Sequence, residues 1–281
     1  MRVYLMTDLE GVAGVWTWEN RDDVSNLNCN KRLRQSRWLA GEVNAAVGGC
    51  IAGGATDVIV NDGHGAGATI DLDLADPRAR YLIGQGRPFW LPYLDATCDA
   101  TGVVSAHSKA GTLSGNLYHT MSESVRDWSF NGISVGEMGL QALIAGYHGV
   151  PFVLATGDAW ACREMEELIP GVVTVPVKYG TSRFSAVSWP PAKACELIRE
   201  GAERAMSAIG KVEPLTLASP VVMRDERVEP NFDEEQPEAD GIRIIDAHTR
   251  EIEGDDFMDV LFKLYPGYDR EWQPLDWTPE D

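Results

Sequence analysis

Residues 2–12, RVYLMTDLEGV, decide the fold. The stretch begins as a short apolar run rich in strand formers and ends in Asp8, Glu10 and Gly11. Residues two apart on a strand share a face, so Asp8 and Glu10 offer two carboxylates side by side at the end of a strand read as central. Two acids that close repel and shift each other's pKa unless a cation lies between them. The pair reads as a metal site or an acid/base pair. The competing reading, a strand end whose acids are merely solvated, carries at least equal weight for a DxEG taken alone.

Moving outward, residues 12–28 are polar and irregular and read as a loop. Over 31–53, Leu33, Trp38, Leu39, Val43, Ala46, Val47 and Ile51 recur at helical spacing, and Gly53-Gly54 closes that helix. A short buried strand follows at 57–60 (DVIV), then Asn61-Asp62-Gly63-His64-Gly65. Strand, helix, strand with both strands apolar is a βαβ unit. The fold class is therefore α/β, a mostly parallel sheet with helices on both faces. Ligands in such sheets bind beyond the carboxyl ends of the strands, where Asp8, Glu10 and His64 all fall. Asp62 is placed to orient the His64 imidazole from behind, as metal-ligating histidines usually require.

The same pattern recurs downstream. Strands are expected at 81–83 and 101–106, the second ending at His107. The small, Gly-rich stretch 108–114 suits a mobile wall over a site, and His119 follows. Asn131-Gly132 between 128–130 and 133–135 is a strong hairpin signal. The second arm runs into a helix start at Glu137, where a carboxylate also suits the helix dipole. A strand at 149–157, Asp158 capping a helix over 159–168, a strand at 172–177, a polar loop at 178–183 and a helix over 192–209 complete an α/β domain of residues 1–210. His148 reads as a helix-end residue, and His248 has no assigned role. From 211 the composition changes. Strands at 219–223 and 241–245, an acidic Pro-rich segment at 228–240 and a helix at 255–264 suggest a small α+β unit, 211–281, available for oligomer contacts.

The chain has 281 residues, 44% apolar and 24% charged, the balance of an ordinary globular protein with a large core. A formal net charge of −19 argues against nucleic acid and anionic membrane as partners. No apolar run is long enough to span a membrane, and the N-terminus enters a strand directly, so a cytoplasmic protein is expected. The five cysteines are scattered, without a CxxC pair, which disfavours a disulfide framework or a thiolate zinc site.

Collected by position, Asp8, Glu10, His64, His107 and Glu137, with His119 nearby, form a carboxylate/imidazole set. Three acids and two histidines without a thiolate is the ligand mix of hydrolytic zinc or manganese sites, often with two metals bridged by a carboxylate. No Walker loop or HExxH occurs. Spacing alone leaves one-metal and metal-free readings open.

The motifs Asp8-Leu9-Glu10-Gly11, Asn61-Asp62-Gly63-His64, His107, His119-Thr120-Met121, Asn131-Gly132 and Gly136-Glu137-Met138-Gly139-Leu140 run in order through the chain. In them the sequence resembles the D-aminopeptidase family (peptidase family M55), zinc-dependent, self-compartmentalising peptidases formerly labelled dipeptide transport proteins. The resemblance extends from residue 1 to about 193 and is weak beyond 211. It implies a dinuclear zinc site (manganese or another divalent metal being the alternative) whose five ligands fall on Asp8, Glu10, His64, His107 and Glu137. It implies a catalytic histidine at His119 and a ring-stacked homo-oligomer, decameric in size, around an inner chamber. It also implies cleavage of short peptides with an N-terminal D-amino acid. Two departures stand out: Gly63 replaces the family's usual Ser, which is expected to loosen the loop, and the stretch 108–118, expected to wall the substrate pocket, differs.

On this reading Asp8 is the candidate bridge between metals, and His119 acts on the developing charge or shuttles a proton. Lys178 and Arg183 are candidates to bind a substrate carboxylate, with plain surface charges as the equal alternative. The competing functions are a metallo-amidase or other hydrolase on a non-D-peptide substrate and a non-catalytic peptide-binding homologue. Few basic residues surround the site motifs, which counts against phosphate esters. The intact ligand set counts against a lapsed enzyme.

Overall fold

A computed structural model describes residues 1–65, 67–233 and 240–273. The run 2–7 forms β1 (Arg2–Thr7), buried from Val3 onward because neighbours flank it on both sides. The following helix α1 (Asn26–Ala52) begins five residues earlier than its apolar periodicity suggests. Ser25 caps it by accepting from the Asn28 N–H, and the Asn28 side chain donates to the Asn20 and Asp23 carbonyls. The Asn/Asp cluster that reads as loop is thus a capping device. β2 (Asp57–Asp62) pairs in parallel with β1 and completes the βαβ unit.

Beyond it come β3 (Arg80–Leu82) and β4 (Ala100–Ala106), the latter buried throughout. A hairpin of β5 (Val125–Phe130) and β6 (Ile133–Ser134) turns at Asn131 and Gly132, with φ of 49° and 82° as a type I′ turn demands. Next are α2 (Glu137–Tyr147), β7 (Phe152–Asp158) and α3 (Ala159–Leu168), with Asp158 accepting from the Trp160 N–H at the start of α3. β8 (Val173–Ser182) continues through the residues read as a polar loop, because β9 (Ser185–Ser188) folds back on it in antiparallel pairing. The chain ends with α4 (Pro191–Met206), β10 (Val221–Arg227), β11 (Ile242–Asp246), β12 (Thr249–Gly254) and α5 (Phe257–Leu264).

The large sheet has the order β3-β2-β1-β4-β7-β8-β9, parallel except for edge strand β9, with β1 flanked by β2 and β4. Helix α1 packs along α4, while α2 contacts α3, β4 and β7, so the sheet is covered on both faces. The second sheet, β11-β12-β10-β5-β6, is antiparallel. It takes the mid-chain hairpin as well as the C-terminal strands. Trp128 on β5 donates to buried Asp225 on β10 at 2.7 Å, and Phe130 packs on Phe257 of α5 with centroids 5.2 Å apart. One continuous apolar core joins the two sheets. Among the described residues no helix is long and apolar enough to cross a membrane. Residues 234–239 of the acidic segment read at 228–240, and residues 274–281, lie outside the described residues.

Candidate active site

Four chain segments end at one place. Asp8 and Glu10 follow β1, His64 follows β2, His107 follows β4, and Glu137 opens α2. His119 arrives on the loop after β4. Asp8, Glu10 and His64 bring one ligand atom each within 4.8 Å of one another, and so do His107, His119 and Glu137. Asp8 lies between the groups: Oδ1 is 3.1 Å from His64 Nδ1, and Oδ2 is 3.3 Å from His107 Nε2. His107 Nε2 is also 3.3 Å from Glu137 Oε1, and His119 Nε2 is 3.6 Å from the same oxygen. The rings of His107 and His119 stack at 3.9 Å.

Each imidazole is held by its far nitrogen. His107 Nδ1 faces the Ser108 carbonyl at 2.9 Å, His119 Nδ1 the Leu117 carbonyl at 3.0 Å, and His64 Nε2 the Glu19 carboxylate at 3.3 Å. A nitrogen beside a carbonyl must carry the proton, so His107 and His119 turn a lone pair toward the acids. The near side is short of donors. His64 Nδ1 alone faces both Asp8 Oδ1 and Glu10 Oε2 (2.9 Å), and Glu10 Oε2 is buried without a hydrogen bond. Two buried carboxylates and the half-buried Glu137 against imidazole lone pairs make an arrangement that a cation completes. Without one, protons must serve. Burial alone would depress His107, but Glu137 and Asp8 outweigh it and raise it to about 10. Burial likewise pushes Asp8 up, yet His107 and His64 hold it far below the usual carboxylate range. Glu10 is raised by burial and by the charge of Asp8. The residues present therefore fit a divalent metal, which would displace those protons.

Sequence reasoning missed the residue that orients His64. Asp62 instead accepts the Thr69 and Ile70 N–H groups and shapes the loop. Glu19 takes the orienting role, clamped by Arg21 at 2.6 Å and Arg32 at 2.8 Å. Burial opposes its charge, but the hydrogen bonds from His64, Arg32 and Arg21 hold it at about 2. Nothing in the aperiodic run 12–28 marks Glu19 out. Trp18 meets His119 edge-on at 5.2 Å and Arg183 lies over Trp18. Lys178 is buried, not a surface charge or a substrate anchor: Nζ donates to the carbonyls of Glu10 and Val15 and to Asn116 Oδ1. Arg183 is engaged by Glu123 and the Tyr118 carbonyl. His148 ends α2, and His248 turns toward the Arg227 carbonyl, both apart from the site.

The acids open into a cavity of about 680 Å³. Its walls come from the glycines at 63, 65 and 67, from 84–87 with Phe89 and Trp90, and from Arg21, Met121 and Tyr268. Residues 108–118 do not line it. That stretch is pinned, with Lys109 N and Thr112 Oγ1 donating to Glu164 and Asn116 N donating to Asp158. Gly63 is not loose either, since a Cβ there would lie 2.7 Å from Met6 Cγ and from the Thr7 carbonyl.

Residues 1–264 match the profile of the peptidase M55 family, D-aminopeptidase. This chain belongs to the D-aminopeptidase family. It is a metallo-aminopeptidase, a hydrolase of peptide bonds. The family match extends past residue 211 through β10–β12 and α5. The chain is 34% identical over 218 residues to a D-aminopeptidase of Bacillus subtilis (strain 168), covering 77% of each chain. It is also similar to a solved structure, the zinc-dependent D-aminopeptidase DppA from Bacillus subtilis, described as a self-compartmentalizing protease. That likeness has a TM-score of 0.85 and 28% identity, and covers 98% of this chain and 100% of that one. The D-aminopeptidase fold accounts for the α/β layering with the added antiparallel sheet.

Proposed function

We propose that this D-aminopeptidase homologue removes N-terminal D-amino acids from short peptides with two zinc ions, as a homo-oligomer enclosing a chamber. The observation that carries the reading is the split donor set, with Asp8 turning one oxygen to each half. Asp8, Glu10 and His64 would hold one ion, and His107 and Glu137, with Asp8 shared, the other. When bound, two such ions polarise a carbonyl and supply hydroxide near neutral pH. The zinc-dependent relative, similar over nearly the whole chain, supports the choice of metal. The same relative's self-compartmentalizing character supports the assembly.

The protein's own residues supply orientation and a proton path. Glu19 and the Ser108 carbonyl fix the His64 and His107 rings. Lys178, tied to the Glu10 carbonyl, fixes the turn after β1. His119, its Nδ1 proton committed to Leu117, presents Nε2 beside Glu137 and serves to take a proton and return it to the leaving amine. Trp18 shields the edge of that ring from water.

The test is release of D-alanine and L-alanine from matched di- and tripeptides by the zinc-loaded protein. The D series is expected to be cleaved selectively, and His119→Ala to slow it by about 10²–10⁴-fold with metal retained. Cleavage of neither series would redirect the assignment to another amide or ester, and full turnover by the His119 variant would remove its role.

A further inference from the structure

The cavity is lined by Asp8, Glu10 and Glu137, the acids that would hold the ions. Two cations line it as well, Arg21 and Arg87. Arg87 is spent on the protein: Nε and both terminal nitrogens donate to the Gly84, Asp62 and Leu82 carbonyls and to Asn61 Oδ1. Arg21 is different. Its Nε donates to Glu19 Oε2 at 2.6 Å, while its Nη groups donate to nothing among the described residues. A guanidinium has five N–H donors in a planar fork, so the half of Arg21 suited to bidentate recognition of a carboxylate remains available at the cavity.

The loop beneath is shaped for that guanidinium. Gly65 has φ of +54°, and a Cβ there would lie 2.6 Å from Arg21 Nη2 and 3.0 Å from Nη1 and Cζ. A side chain at position 65 would displace the guanidinium from this place. The bond to Glu19 fixes its reach, because Glu19 Oε2 is itself 3.3 Å from His64 Nε2. The fork therefore sits one carboxylate away from the metal-ligand set.

We propose that Arg21 reads the free C-terminal carboxylate of a short peptide substrate. The inference rests on the peptidase reading above and assigns a specificity-determining residue to that same site. It assigns to Arg21 the part for which Lys178 and Arg183 are candidates from sequence alone.

The test uses D-alanyl-D-alanine and its C-terminal amide, with wild type, Arg21→Gln and Arg21→Lys. Steady-state rates are measured on zinc-loaded protein, and equilibrium binding of both compounds by calorimetry. Wild type is expected to favour the acid over the amide by about 10- to 100-fold, through KM and affinity rather than kcat, as one charge-assisted pair provides. Arg21→Gln should bring that ratio to about 1, and Arg21→Lys should retain part of it. Loss on acid and amide alike would show that Arg21 merely supports Glu19 and would overturn the proposal, as would a ratio unchanged by Arg21→Gln. If wild type cleaves neither compound but binds the acid more tightly through Arg21, the peptidase reading fails and the carboxylate assignment stands. Equal binding of both compounds by wild type overturns it.

Discussion

Glu19 shows what a single side chain can do from outside the ligand set. Its carboxylate holds His64 Nε2, so Nδ1 points at Asp8 and Glu10. Partners that orient a metal-bound imidazole typically contribute about 10–100-fold in metal affinity. Glu19→Gln should weaken zinc by that amount in competition with a chelator, while the far-ultraviolet dichroism of the metal-free protein is preserved. Unchanged affinity would mean that His64 is held by the loop alone. Asp8, Glu10, His64 and His107 were legible because each stands where an apolar strand gives out. Glu19 was not, because residues 12–28 carry several acids and no periodicity that ranks one above another. Lys178 misled for the opposite reason: it lies among polar residues, yet β9 and the Asn116 loop bury it on β8.

At the scale of elements, the sheet is braced from behind by a polar network. Glu42 on α1 reaches through the layer to accept from Ser105 Oγ at 2.5 Å and from Ala13 N at 2.8 Å. It thereby ties the end of β4 to the turn after β1. Burial pushes the Glu42 carboxyl up to about 7, against the pull of those two donors. Folding therefore favours its protonated form. The stability this provides is complete below its ordinary value of 4.5 and is lost as pH rises through about 7. Glu42→Gln keeps the shape and stays neutral. Its melting temperature should match wild type near pH 5 and exceed it near pH 8, by roughly 1–3 kcal/mol in stability. A difference that does not vary with pH would contradict the account. The βαβ frame, the hairpin and the Asp158 cap were readable from periodicity and turn chemistry. The start of α1 and the end of β8 were not. Capping by Ser25 and pairing with β9 decided them, and neither leaves an apolar pattern.

For the molecule as a whole, the site does not exist in any local segment. Its candidate ligands are spread from residue 8 to residue 137 and meet only when β1, β2 and β4 are aligned and α2 is docked beside them. The second sheet belongs to the same body: the hairpin that leads into Glu137 is its β5–β6 edge, paired with β10 from the far end of the chain. Sequence pattern assigned the hairpin but not its partner, since antiparallel pairing across some 90 residues leaves no local trace. Metal binding is accordingly a property of the folded whole, and zinc should raise the melting temperature as it fills the site. On the reading proposed above, this fold builds a site for two ions around Asp8. The direct measurement is zinc per chain, by mass spectrometry on reconstituted, desalted protein, for wild type and Asp8→Asn. The account predicts about two per chain in wild type and at most one in the variant. A single ion in wild type, or two retained without the Asp8 carboxylate, would contradict it.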